Sequence, residues 1–78
     1  MKWKELLPQP GAASLELYGN RRVIVSDCRS VDEYGENSLL LDLGDIRARI
    51  SGRGLTVASF AFGQADVTGE IVSVEFLN

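Results

Sequence analysis

The chain has 78 residues, eleven acidic against eight basic side chains and no histidine, for a net charge of −3. A domain this small buries only about 60% of its unfolded surface, so its stability margin is thin and usually needs a disulfide, a metal or a partner. A lone cysteine excludes an intrachain disulfide, and without histidine or a second cysteine there is no zinc shell, so oligomerisation or docking is the support left.

Residues 1–13 read as a flexible arm, because Pro8, Pro10 and Gly11 break any helix begun between Trp3 and Leu7. No apolar core of about 7–15 residues follows Lys2 and Lys4, so the start is not a secretory signal. No apolar run approaches the ~20 residues that cross a membrane. The expected location is therefore cytoplasmic. Trp3, Leu6 and Leu7 beside the two lysines offer a peripheral contact with a membrane surface, weaker than an anchor.

From residue 14 onward the periodicity is two, with Gly, Asn, Asp and Ser between short apolar runs. The expected strands are Ser14 to Tyr18, Arg21 to Ser26, a weaker Ser30 to Tyr34, and Ser38 to Leu43. They continue with Ile46 to Ser51, Leu55 to Phe60, Ala65 to Thr68 and Ile71 to Leu77. Gly19-Asn20, Gly35-Glu36-Asn37, Gly44-Asp45 and Gly52-Arg53-Gly54 read as the turns between them. Seven or eight short strands with no helical stretch predict one all-β domain over 14–78, a small antiparallel β-sandwich. Its expected core is Val23, Val25, Leu39, Leu41, Ile46, Ile50, Leu55, Val57, Val67, Val72, Val74 and Phe76.

Little in the chain suggests catalysis. The usual base for a Ser or Cys nucleophile is missing, and the carboxylate pairs Asp32/Glu33 and Asp42/Asp45 sit in or beside turns, where acids serve solvation and capping. Gly52-Arg53-Gly54 is too short for a phosphate loop and precedes a strand rather than a helix. Neither a metal nor another cofactor is expected. Cys28 reads as a small buried side chain.

Arg47 and Arg49 share a strand face, with Arg53 after them, and small β-barrels do bind single strands on basic faces with stacked aromatics. The acidic net charge argues against nucleic acid, and arginine also suits bidentate pairing at a protein interface. A ligand- or nucleic-acid-binding barrel is therefore the alternative reading. Ile24, Leu40, Ile71 and Leu77 fall opposite the inward residues of their strands, an apolar set the core does not use. Together with Arg47 and Arg49 they form the candidate interface, and the last strand is a candidate edge for strand addition.

One series of segments is more specific. Leu15-Glu16-Leu17-Tyr18-Gly19-Asn20-Arg21-Arg22-Val23-Ile24-Val25 is followed by Arg29-Ser30-Val31-Asp32-Glu33-Tyr34 and the leucine-rich Ser38 to Leu43. Ile50-Ser51-Gly52-Arg53-Gly54-Leu55 comes next, and Val67-Thr68-Gly69-Glu70-Ile71-Val72-Ser73-Val74-Glu75-Phe76 closes the series. In this order, over residues 15–77, the chain resembles the YabP/YqfC family of sporulation proteins, nearer its YqfC-like members, whose Leu-Pro start is matched at Leu7-Pro8. The arm and the charge-poor loop Ala61-Phe62-Gly63-Gln64 depart from the family pattern. The resemblance implies a non-enzymatic assembly protein of the endospore envelope, cortex or coat. It also implies a place in the mother-cell cytoplasm at the outer forespore membrane, and a YqfD-like membrane protein as partner; the small core and the apolar residues outside it make a second copy of the chain the other expected partner.

Overall fold

The computed structural model describes residues 13–78, so all of the expected arm except Ala13 lies outside the described residues. Six strands form one antiparallel sheet: β1 (Ser14–Tyr18), β2 (Arg22–Ser26), β3 (Ser30–Tyr34), β4 (Ser38–Asp42), β5 (Arg47–Ala61) and β6 (Gln64–Leu77). Their order across the sheet is β1-β2-β6-β5-β4-β3.

The all-β antiparallel expectation holds, but the strand count corrects to six. Gly52-Arg53-Gly54 is not a turn. The chain runs through it, so the expected strands on either side are the two ends of β5. Likewise Ala65 to Thr68 and Ile71 to Leu77 are the two ends of β6. The physical reason lies at two glycines. A Cβ on Gly52 would collide with the Glu70 carbonyl, and one on Gly69, at φ +134°, would come within 2.7 Å of the Gly54 carbonyl. Bare glycine lets the two long strands cross this closely, and register shifts at Ser51/Gly52 and Arg53/Thr56 bend the ribbon there.

The bend divides the sheet. The hairpin β1–β2 pairs with the first half of β6, with Val23 opposite Val67. The hairpin β3–β4 pairs with the first half of β5, with Leu39 opposite Ile50. The two halves are copies of one plan. Ser14-Leu15-Glu16-Leu17-Tyr18-Gly19 matches Ser30-Val31-Asp32-Glu33-Tyr34-Gly35, and Ala48-Arg49-Ile50-Ser51-Gly52-Arg53 matches Ala65-Asp66-Val67-Thr68-Gly69-Glu70. The hydrogen bonds repeat as well. Gly52 and Leu55 donate their amides to the carbonyls of Asn37 and Glu36 at 3.0 and 2.8 Å, as Gly69 and Ile71 donate to Arg21 and Asn20 at 3.1 and 2.7 Å. The molecule thus has an internal pseudo-two-fold axis passing near the Arg53–Glu70 pair.

Val23 and Val25 of β2 and Leu39 and Leu41 of β4 are not sheet neighbours, yet all are fully buried in one cluster with Ala48, Ile50, Leu55, Ala65, Val67 and Ile71. A single sheet without helices can bury side chains this completely only by curling its inner face on itself. The expected core is right for Val23, Val25, Leu39, Leu41, Ile50, Leu55 and Val67. Ile46, Val57 and Val74 pack against the cluster but are only partly buried.

Two core assignments are corrected: Val72 is 67% exposed and Phe76 57% exposed, while Ile71 is buried at 8%. Ser51 pairs with Ser73 and Gly52 with Ile71, so Val72 is an extra residue that breaks the alternation. After it, Val74 and Phe76 lie opposite Ile50 and Ala48 and so share their inner face, but along an uncovered edge. Leu40 is also corrected. It is 5% exposed, although it lies on the outer face. Its register neighbours are Glu33 and Arg49, whose charged ends meet at 3.5 Å, so their aliphatic stems lie on either side of it.

Candidate interface along the second half of β6

The expected apolar patch at Ile24, Leu40 and Ile71 does not assemble. Ile24 is on β2 and Leu40 on β4, in opposite halves of the sheet, and Ile71 points into the core. Leu77 is half-buried and pairs across β5 with Arg47, on the outer face it shares with Arg49. These charges are matched. Arg47 lies opposite Asp42, and Arg49 lies opposite Glu75, 3.5 Å from Glu33 and 3.1 Å from the Ser38 hydroxyl. Arg53 is 3.6 Å from Glu70. With two of its three arginines ion-paired, the stripe has a reduced field to offer a phosphate backbone.

The most ordered ion pair joins the β1–β2 hairpin to β6. Arg22 grips Asp66 with two hydrogen bonds, at 2.9 Å from Nε and 2.7 Å from Nη2, and stacks on the Tyr18 ring at 5.6 Å. The guanidinium holds the Asp66 carboxyl below the usual carboxylate range. A lowered folded-state value contributes stability above the unfolded-state value of about 3.9 and loses it as Asp66 takes up a proton below that. The melting temperature of wild type is therefore expected to fall more steeply from pH 5 to pH 2 than that of Asp66→Asn. Equal slopes would show that the pair contributes nothing to acid stability.

The other acids do local work. The Ser30 hydroxyl donates to Asp32 at 2.6 Å, and Asp42 accepts the Gly44 amide at 2.8 Å. No group of three or more potential metal ligands gathers among the described residues. Cys28 is buried with its thiol directed at the Ser30 carbonyl, and burial pushes its pKa up, which keeps it protonated. No helix among the described residues is long and apolar enough to cross a membrane.

The uncovered surface lies elsewhere. β2 pairs only with Ala65 to Thr68, so beyond Ile71 the outer edge of β6 has no strand beside it among the described residues. Two clefts line this edge. One, of about 550 Å³, is lined by Ala13, Ser14, Leu15, Leu43, Asp45, Ile46 and Phe76. The other, of about 380 Å³, is formed by Leu17, Asn20, Ile71, Val72 and Val74. Together they make an apolar seam between β1 and the end of β6, with Leu17, Val72 and Phe76 all more than half exposed.

The pseudo-symmetry shows what is special here. In the other half, the counterparts of Val74 and Phe76 are Val57 and Phe60, by their pairing with Val67 and Ala65. There the Val57 amide donates to the Tyr34 hydroxyl at 2.9 Å, so the tyrosine caps the edge. The matching Tyr18 is turned away: its hydroxyl donates to Glu16 at 3.0 Å and its ring lies under Arg22. Among the described residues the Val74 edge is therefore left bare. Alternation alone could not find this seam, because Phe76 keeps its inner face and lies at an edge only because β2 stops pairing with β6 after Thr68. Tyr18 and Tyr34 at matching places in a repeat were the available signal. No protein-family model, curated protein or solved structure matches the chain.

Proposed function

We propose that this chain is a non-enzymatic assembly module, a two-layer β-sandwich that works by offering the bare edge of β6 to a partner. The observation that carries the reading is that edge: backbone with no strand beside it among the described residues, next to a largely apolar seam. The ordered segments between Leu15 and Phe76 support placing the module in endospore envelope assembly, in the mother-cell cytoplasm at the outer forespore membrane. On this reading a YqfD-like membrane protein is a partner.

Co-expression of the tagged chain with the YqfD-like protein of a spore-forming host tests the assignment, and stable co-purification from detergent extracts is the expected result. Replacing each carboxylate from Asp27 to Asp45 by its amide, one at a time, is expected to leave sporulation intact. A single amide that kept the fold and the partner but abolished sporulation would replace assembly with catalysis as the function.

A further inference from the structure

We infer that the partner on the β6 edge is a second copy of the same chain, added antiparallel about a two-fold axis at Val74; this rests on the assembly reading and names its occupant. The argument is the self-complementarity of the edge. With Val74 opposite itself, Val72 meets Phe76 and Ser73 meets Glu75. The two most exposed apolar residues of the stretch thus face each other across the axis, and neither Glu75 faces its own copy.

The backbone is suited to the same addition. Val57, the counterpart of Val74, turns its amide to the outer edge, where Tyr34 accepts it. The Val74 amide occupies the matching position without a partner among the described residues. Two copies of Val74 brought together satisfy each other's amide and carbonyl, and the added strand covers Val72 and Phe76, which a single copy leaves in water. The occupant is thus an extended strand of the same sequence, and the product a continuous sheet across two molecules.

Ser73 provides the test, because it is exposed and can be changed without touching the core. Sedimentation of the full-length chain from 1 to about 100 µM is expected to show a monomer–dimer equilibrium. Ser73→Glu places a carboxylate opposite the second copy's Glu75 on each side of the axis and weakens the dimer about tenfold, whereas Ser73→Lys pairs with that carboxylate and tightens it by a similar factor. Phe76→Asp is expected to be monomeric with an unchanged circular dichroism spectrum. A wild type that stays monomeric overturns the inference, as does a monomer that dimerises only when residues 2–12 are removed. A dimer indifferent to both Ser73 changes overturns it as well, since it would use another surface. If dimerisation fails while the membrane protein is still captured, the inference falls and the assembly reading stands.

Discussion

Gly52→Ala is expected to abolish the cooperative melt of the domain. The added methyl has nowhere to go, because its place is taken by the Glu70 carbonyl, a backbone atom of the paired strand rather than the end of a flexible side chain. Overpacking a core with side chains costs about 1–3 kcal/mol. Here the strands themselves must separate at the bend, and the cost is at the upper end of that range or above. Against a total stability of about 4–12 kcal/mol for a chain of this size, and nearer the lower figure for one this small, that is decisive. Gly69→Ala is expected to behave similarly, since it adds a φ of +134° that L-residues avoid to a contact of 2.7 Å. Gly19→Ala is the control. It also has a positive φ, but nothing lies within 4 Å, so it is expected to cost only about 1–2 kcal/mol and to melt cooperatively. If thermal melts placed Gly52→Ala beside Gly19→Ala, the close crossing of β5 and β6 would be wrong.

The second large effect separates two residues that look equivalent in the sequence. Leu41 and Phe76 both stand on alternating apolar strands. Leu41 is fully buried, so Leu41→Ala is expected to cost about 2–5 kcal/mol and to leave little folded protein at 37 °C. Phe76 is more than half exposed on the open seam, so Phe76→Ala is expected to cost under about 1 kcal/mol when measured on the monomer. Urea titration of both variants at low micromolar concentration checks the contrast. A Phe76→Ala midpoint as low as that of Leu41→Ala would mean that the end of β6 is covered within the single chain.

These two residues mark the limit of what alternation alone conveys. Where strands run regularly, as at Val23 to Val25 and Leu39 to Leu41, period two was enough to name the fully buried side chains. It failed at Gly52 and Val72 for different reasons. Gly-Arg-Gly is ordinary turn chemistry, and only the approach of the facing carbonyl shows that glycine serves here as a gap in a continuous strand. The extra residue at Val72 leaves no mark in the apolar pattern, since Ile71-Val72-Ser73-Val74 reads equally well in either phase. Leu40 was misplaced because burial on an outer face came from the stems of Arg49 and Glu33, which a polarity scale counts as hydrophilic. Of the candidate interface, only its coarsest part, the last strand as an edge, was legible. Its boundaries needed the pairing of β2, which stops at Ala65 to Thr68.

The two small hairpins never pair with each other; each is held by a different long strand of the central ribbon. This arrangement governs when the chain can fold during synthesis. Leu39 and Leu41 find their β5 partners as soon as residue 50 is free, but the opposite wall of the core needs β2 to meet Ala65 and Val67, which are made much later. The β1–β2 hairpin, which precedes the other strands, therefore waits for most of β6 before it has a sheet to join. Isolated two-stranded hairpins are marginal in water, so the nascent N-terminal half stays unfolded on the ribosome and the domain closes in one late step. Val72 to Leu77, which carry the exposed edge, come after all the other strands of this sheet in chain order.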